Sequence, residues 1–362
     1  MNASTETSSS SASKSTRLDL AIVGLGFGRH ILDEMHQEPA QGLFNLSAVS
    51  DFQEALVSQA VKKFGVPAYR SLEELLEKDS SPVIGLFTPP KGRAQLIRKV
   101  IRAGRDVLTT KPFELSSREA QSVLEEARSL GRVVHLNSPG PVFPEDLQLI
   151  KDWRSLHNLG RPIGGSARVT APYFEKADGS WLDDPKACPA APLFRLGIYL
   201  FNDFTRIFGA AESVQLMTSS IRTGRPTPDN AQLNIRFRNG ALGHAFASFC
   251  VEDGDHYKNS LVLNFENGTI YRNAGGMRGT KDLSQTELIL VGQGKTERRD
   301  IVEHAFIAIA SGEYQWAALA QAVRARELAS DEYIFDIVEG IRMVEALQQA
   351  QETGSAQLAS GV

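Results

Sequence analysis

The chain contains 362 residues, enough for two domains with substantial cores. Hydrophobic residues make up 42% and charged residues 23%, as in ordinary globular proteins, and no apolar run has the roughly 18 residues that a membrane span needs. A formal net charge of −4 gives no indication of nucleic acid or of an anionic membrane as a partner. Two cysteines cannot form a disulfide framework, and the histidines show no metal-ligand spacing, so we expect no metal.

The two ends of the chain are expected to lie outside the fold. Residues 1–16 are rich in Ser and Thr and lack the apolar segment of a signal peptide, which predicts a disordered tail and a cytoplasmic protein. Residues 353–362 are predicted to be a frayed tail.

An apolar run that ends in glycines opens the ordered part of the chain, at residues 18–29 (LDLAIVGLGFGR). Such a run predicts a buried parallel strand, a tight turn and a helix whose N-terminus faces the turn, where a pyrophosphate fits. The dinucleotide fingerprint G-x-G-x-x-G expects its third glycine where this chain has Arg29. A dinucleotide site and an ordinary glycine-rich turn therefore both remain open. The candidate cofactor contacts of this turn are Gly24, Gly26, Phe27, Gly28 and Arg29.

Strands and helices of about ten residues alternate through the first third of the chain. The predicted helices are 29–37, 53–64, 71–78, 93–103 and 116–130, and the predicted later strands are 43–50, 68–69, 82–88, 106–110 and 132–136. This alternation predicts an α/β fold with a parallel, doubly wound sheet. We assign residues 17–137 to an N-terminal Rossmann-type, NAD(P)-binding domain.

An acidic residue, Asp51, follows the second strand of this domain. A carboxylate at that place can accept hydrogen bonds from the adenosine ribose and repels a 2′-phosphate, which favours NAD, with NADP as a possibility. The other interpretation is that Asp51 caps the helix that follows.

The second part of the chain, residues 138–352, reads as an α+β domain with a large, mostly antiparallel open sheet. The predicted strands are 165–171, 213–220, 232–238, 242–249, 260–265, 269–273 and 287–291, with helices at 146–156, 193–208, 316–328 and 333–351. Asn-Gly dipeptides at 239–240 and 267–268 predict two hairpins. Its sheet is predicted to have an apolar, β-branched face without a cover, and we expect this domain to serve substrate binding and oligomerisation.

Six motifs in order carry a resemblance to a known family. They are GLGFGR (24–29), SD (50–51), FTPP (87–90), TKPF (110–113), PLFRLGIYLFND (192–203) and DIVEGIRMVEAL (336–347). With them the chain resembles the Gfo/Idh/MocA oxidoreductases over residues 17–351. The GIY segment with Asn202 close behind resembles the branch of glucose–fructose oxidoreductase, xylose dehydrogenases and dihydrodiol dehydrogenases, in which a tyrosine replaces histidine.

The resemblance implies a catalytic pair, Lys111 and Tyr199. Hydride transfer from an alcohol needs a base at the hydroxyl, and a nearby ammonium lowers a tyrosine pKa from its usual value of about 10. We therefore expect Tyr199 to be the acid/base and Lys111 to lower its pKa and bind the same oxygen. A solvated lysine and a core tyrosine are the alternatives. Further expected cofactor contacts are Thr88, Pro89, Pro90, Lys111 itself and Asn137.

Three positions depart from the family pattern: Arg93, Thr110 and Arg195 stand where histidine or acidic residues are common. Two arginines at the site indicate either an anionic substrate, which Arg binds in bidentate fashion, or outward-facing ion pairs. The expected substrate contacts are Lys111, Arg195, Tyr199, Asn202 and Asp203.

The sequence therefore predicts an NAD(P)-dependent oxidoreductase that acts on a CH–OH group of a sugar or related polyol and forms a homodimer or homotetramer through the second sheet. Two rivals remain open. One is a dinucleotide-binding regulator or scaffold without turnover. The other is an enzyme that uses bound NAD for transient oxidation followed by elimination.

Overall fold

The computed structural model describes residues 17–252, 254, 258–274, 285–293, 298–308, 313–354 and 357–358. Within them the chain forms a six-stranded sheet and a nine-stranded sheet with helices packed on both. The α/β fold class is confirmed. The tail predicted at residues 1–16 lies outside the described residues.

The first sheet is parallel in every pairing. Its strands are β1 (Leu18–Val23), β2 (Phe44–Ser50), β3 (Ala68–Tyr69), β4 (Val83–Leu86), β5 (Asp106–Thr109) and β6 (Val134–Leu136). The order β3-β2-β1-β4-β5-β6 is the Rossmann arrangement, and it reverses direction between β1 and β4. Ligands bind at such a reversal, at the carboxyl ends of the strands.

The predicted helices of this unit are all present, but α1 begins earlier than predicted and α2 was not predicted. They are α1 (Leu25–Glu34), α2 (Ala40–Leu43), α3 (Glu54–Phe64), α4 (Leu72–Lys78), α5 (Arg93–Arg102) and α6 (Ser117–Ser129). The first helix begins four residues earlier than the sequence predicts. Ser71 caps α4, because its Oγ accepts the Glu74 N–H at 3.1 Å.

The second sheet is antiparallel except where β7 and β10 pair in parallel, as the sequence predicts for a mostly antiparallel sheet. Its strands are β7 (Pro162–Thr170), β8 (Ala211–Ser219), β9 (Asn230–Phe237), β10 (Leu242–Ser248), β11 (Lys258–Phe265), β12 (Gly268–Arg272), β13 (Gln285–Gln293), β14 (Arg299–Ala308) and β15 (Gln357–Leu358). Both Asn-Gly hairpins are confirmed. The sequence reading missed β14, and β15 contradicts the frayed tail at 357–358, since it pairs with β8.

The remaining helices are α7 (Glu145–Leu156), α8 (Ile198–Phe208), α9 (Trp316–Ala325) and α10 (Asp331–Thr353). One π-helical turn, Leu193–Gly197, leads directly into α8. The early residues of α10, such as Ile337, pack in the core of the parallel sheet, and later ones, such as Leu347, pack beside the second sheet. The predicted boundary between the domains stays a prediction, and this last helix contributes to both cores.

The uncovered face of the second sheet matches the prediction only over part of its strands. On β10 it carries Leu242, His244 and Phe246, and on β9 it carries Gln232 and Asn234. This face is mixed in polarity on β9 and β10, whereas on β11 and β13 it carries the partly exposed branched residues Val262, Ile289 and Val291. The predicted apolar, β-branched face is therefore present over part of the sheet. None of the helices in the described part of the chain combines the length and the hydrophobicity that crossing a membrane takes.

Candidate functional site

Five of the predicted site residues lie within two residues of the end of a parallel strand. Gly24 follows β1, Asp51 follows β2, Thr88 follows β4, Lys111 follows β5 and Asn137 follows β6. Because parallel strands end at one edge of the sheet, these residues share the edge at which open α/β sheets place ligands.

Gly24 forms the turn between β1 and α1 and must be glycine. Its φ is +90°, and a Cβ there would lie 2.8 Å from the carbonyl carbon and oxygen of Phe87. Gly24 N–H donates to Ser50 O at 2.9 Å. The turn therefore packs between the ends of β2 and β4, and α1 begins at the next residue, Leu25.

The two following glycines have different surroundings. A Cβ on Gly26 would meet nothing within 4 Å, whereas one on Gly28 would lie 3.0 Å from Ile22 Cγ2. Gly28 thus allows the close helix–strand packing that the fingerprint's third glycine provides. Gly26 keeps open the space before the helix N-terminus, where the N–H groups of Gly26 and Phe27 have no acceptor within the helix.

Asp51 is held by backbone groups. One carboxylate oxygen accepts the Leu25 N–H at 2.6 Å, and the other accepts the Gln53 N–H at 2.8 Å. The carboxylate therefore joins the start of α1 to the end of β2. The sequence suggested Asp51 as the cap of α3, but the N-cap is Gln53, two residues later.

A cavity of about 770 Å³ runs along this edge of the sheet. Eight of the predicted cofactor contacts line it: Gly24, Gly26, Phe27, Arg29, Asp51, Thr88, Pro89 and Pro90. Lys111 and Arg195 line it as well, whereas Gly28 lies behind it and Asn137 lines a second cavity. Arg29 is exposed at the rim. An open glycine cradle, a helix N-terminus and a carboxylate at the second strand fit a dinucleotide.

Lys111 lies where the two cavities meet. Its N–H donates to Asn137 Oδ1 at 3.1 Å, and its Nζ donates to Arg195 O at 2.5 Å. Arg195 belongs to the π-helical turn before α8, so this turn supplies the carbonyl that holds the ammonium. Burial, together with the Arg195 charge, lowers the pKa of Lys111 to about 8.

Tyr199 lines the second cavity, which has a volume of about 720 Å³. Lys111 Nζ lies 4.8 Å from the centroid of the Tyr199 ring, over its face, and the phenol forms a hydrogen bond with Asn137. Burial raises the pKa of Tyr199. The expectation that Lys111 lowers this pKa is therefore wrong, because the ammonium contacts the ring face and burial dominates.

Arg195 does not face outward as a surface ion pair, and its charge is already matched. Its two Nη atoms donate to the carboxylate of Glu175 at 2.6 and 2.9 Å. The guanidinium also lies against the rings of Tyr173 and Phe249, at 5.1 and 4.9 Å from their centroids. An anionic substrate would have to displace Glu175 to bind Arg195. Arg195 therefore no longer supports the hypothesis of an anionic substrate.

Arg93 is also committed to the protein itself. It is 1% exposed, and its guanidinium donates to the backbone carbonyls of Thr88, Thr110 and Pro112. Thr110 is buried beneath the site, although it lines both cavities. Neither of the two added arginines is available as an anion-binding group.

Asn202 and Asp203 do not reach the substrate region, contrary to the prediction. Asn202 is 3% exposed and donates to Ser138 Oγ at 3.0 Å. Asp203 is 5% exposed and pairs with Arg272, which also contacts Asp146 Oδ2 at 2.7 Å. Neither residue lines either cavity, because both lie on the face of α8 that packs inward.

Sequence reasoning missed residues that arrive from distant segments. From the second part of the chain, Tyr173, Trp181 and Leu182 line the first cavity, and Tyr173, Glu313, Tyr314 and Trp316 line the second. Trp316 Nε1 donates to Glu34 Oε1 at 2.7 Å, which fixes α9 against α1. The two aromatic residues Tyr314 and Trp316, at the start of α9, were the signal in the sequence that could have pointed to this contribution. Within the described residues, no group of three or more His, Cys, Asp or Glu could hold a metal ion.

The fold and these cavities define a dinucleotide-binding protein with a second, sheet-based domain. The chain belongs to the Gfo/Idh/MocA family. The model of the oxidoreductase family's NAD-binding Rossmann fold matches residues 18–138, and that of the GFO/IDH/MocA C-terminal domain matches residues 147–271. The narrower branch stays a prediction.

Named relatives are distant. Uncharacterized oxidoreductase C115.03 of Schizosaccharomyces pombe is 23% identical over 213 residues, which are 58% of this chain and 56% of the relative. The match thus spans little more than half of that relative's length. GenD2 from gentamicin A biosynthesis, solved with NAD, has a TM-score of 0.72 at 19% identity, covering 98% of this chain and 100% of that chain. Levoglucosan dehydrogenase, solved with NADH, has a TM-score of 0.71 at 14% identity, covering 96% and 100%.

Proposed function

We propose that the protein is an NAD(P)-dependent dehydrogenase or reductase that moves hydride between a carbinol carbon of a sugar or polyol and nicotinamide. The observation that carries the proposal is the position of Lys111 at the junction of the two cavities, with its ammonium over the ring of Tyr199, which lines the second cavity. One cavity is lined by the dinucleotide motifs, and the other offers a separate space for a substrate beside the same lysine. NAD, when bound, supplies the hydride acceptor.

The proton is assigned to Lys111 in this proposal, which reverses the roles expected from the sequence. A group with a pKa of about 8 exchanges protons readily near neutral pH, whereas a tyrosine whose pKa is raised stays protonated. Tyr199 then donates a hydrogen bond to the substrate oxygen, and Asn137, which contacts both residues, orients them.

A neutral polyhydroxylated substrate is favoured over a sugar acid. Arg93 and Arg195 are bound to other groups of the protein. Three carboxylates, of Glu34, Glu38 and Glu313, line the second cavity. An anion would meet like charges there. The levoglucosan dehydrogenase of similar fold, whose name states a sugar substrate, supports this class.

The proposal is tested by titrating the protein with NADH and NADPH and then following nicotinamide reduction with a panel of neutral sugars, polyols and sugar acids. We expect binding with a preference for NADH, and turnover with neutral members of the panel. Lys111→Met should lower kcat at least a hundredfold while NADH still binds. Full activity of this variant would refute the assigned chemistry. Binding without any turnover would favour the regulator or scaffold.

We also propose a homodimer or homotetramer built on the uncovered face of the second sheet. Exposed large apolar side chains on its strands, Met217, Leu242 and Phe306, support this. The protein is expected in a cytoplasmic compartment. A monomeric mass by light scattering at micromolar concentration would contradict the oligomer.

A further inference from the structure

Arg93 is a buried guanidinium that donates to backbone carbonyls, and the nearby Glu114 charge offsets only part of the effect of burial, which lowers the pKa of Arg93 to about 10. Nη1 lies 2.5 Å from the carbonyl oxygens of both Thr110 and Pro112 and 3.4 Å from that of Phe113, and Nη2 donates to Thr88 O. Within the described residues, its Nε has no hydrogen-bond partner. Burying a charge costs free energy unless hydrogen bonds compensate for the lost water, so the contacts of the guanidinium must provide that compensation.

The carbonyl groups bound by Arg93 belong to the two loops that carry the site. Thr88 follows β4 and lines the dinucleotide cavity, whereas Thr110 and Pro112 are the immediate neighbours of Lys111 after β5. One planar group with donors in fixed directions therefore sets the spacing of both loops. Asn137 holds the same lysine from the end of β6.

We propose that Arg93 is a positioning residue that joins the ends of β4 and β5 and thereby fixes Lys111 relative to the cofactor. The inference rests on the proposed function for its kinetic consequences. Its structural content, the placement and reactivity of the lysine, can be measured without turnover. A residue that served the fold alone would change stability and leave Lys111 as it is.

A matched control, Arg105, directly precedes β5, the strand that Lys111 follows. Arg105 also donates to three backbone carbonyls, those of Asp79, Ser80 and Ser81, before β4 begins. Arg105→Met therefore removes a carbonyl-binding guanidinium at the amino-terminal edge of the parallel sheet, away from both cavities. Arg93→Met and Arg93→Lys are compared with it.

The first measurement is the reactivity of the Lys111 amine toward acetic anhydride as a function of pH, read by peptide mass spectrometry. In Arg93→Met we expect the titration of Lys111 to move upward toward that of an ordinary lysine, since water enters the loosened loop. In Arg93→Lys the titration of Lys111 should move upward by less than in Arg93→Met. In Arg105→Met it should stay at its wild-type position. An unchanged titration in both Arg93 variants would overturn the proposal.

The second measurement is kinetic and uses the best substrate of the panel. Arg93→Met should lower kcat at least tenfold with a smaller change in the Kd for NADH, and it should shift the pH profile in the direction of the Lys111 titration. Equal effects of Arg93→Met and Arg105→Met would overturn the proposal. If Arg93→Met does not fold, Arg93→Lys decides, because wild-type kcat and pH profile in that variant would be contrary to it. A shifted lysine in a protein without turnover would support the positioning role and refute the dehydrogenase.

Discussion

Replacing Gly26 with alanine should separate cofactor binding from stability. A Cβ at this position meets nothing within 4 Å, and the backbone is helical, so the fold accepts it without strain. Alanine in place of glycine in a helix is more favourable by up to about 1 kcal/mol. The free energy of unfolding should therefore stay the same or rise slightly.

The same methyl group occupies the space through which a pyrophosphate approaches the N–H groups of Gly26 and Phe27. A hydrogen bond to a charged group contributes about 1.5–3 kcal/mol, so the loss of one weakens binding roughly 10- to 100-fold. We expect that loss in the Kd for NADH, measured by isothermal titration, together with an unchanged or higher melting temperature.

Gly28→Ala is the control for this prediction. Its Cβ would lie 3.0 Å from Ile22 Cγ2 and 3.6 Å from Phe87 Cβ, behind the cavity, and overpacking of this kind costs about 1–3 kcal/mol. Gly28→Ala should lose stability and keep most of its affinity for NADH. A folded Gly26→Ala variant with wild-type affinity would show that the dinucleotide does not lie against the start of α1.

Two further predictions concern the pH dependence and the buried ion pair. For alcohol oxidation Lys111 must be neutral, so kcat/KM should rise with pH through about 8 and level off above it, and the reverse reaction should show the opposite dependence. Tyr199→Phe should keep this pH profile at a lower rate; a profile that loses its inflection in this variant would return the acid/base role to Tyr199. Asp203→Asn should lower the free energy of unfolding by less than the roughly 3–5 kcal/mol of a fully broken buried pair, because Arg272 loses one buried carboxylate and keeps Asp146, while kcat of the folded protein stays near wild type. A normal melting temperature with a large rise in KM would instead restore Asp203 as a substrate contact.

The sequence predicted the parallel sheet because buried strands and amphipathic helices alternate at fixed spacing. It also placed Gly24, Asp51 and Lys111 at strand ends, since the motifs directly follow the apolar runs. The start of α1 was missed because glycine has weak helix propensity, although here the glycines are needed for close approach. Strand β14 was missed because its charged residues, as in RDIVEH, hide the alternation.

The sequence did not show which contacts each polar side chain makes in the fold. Glu175 and Arg195 are 20 positions apart and meet because a loop of the second domain folds over the first cavity. Arg93 reads as the exposed start of a helix, and its burial follows from the packing of two loops over it. Local patterns indicate which residues end a strand, but only tertiary packing shows which charges are already paired.

The central claim, net hydride transfer to a dinucleotide, is tested most directly with a substrate from the panel that carries deuterium on its carbinol carbon. Incubation with NAD should place the deuterium on nicotinamide C4 of the NADH released, as read by mass spectrometry, and Lys111→Met should abolish this transfer. Deuterium that returns to the same carbon of an eliminated product, without net NADH, would identify the transient-oxidation enzyme. A cofactor that binds and never acquires label from any member of the panel would contradict the dehydrogenase.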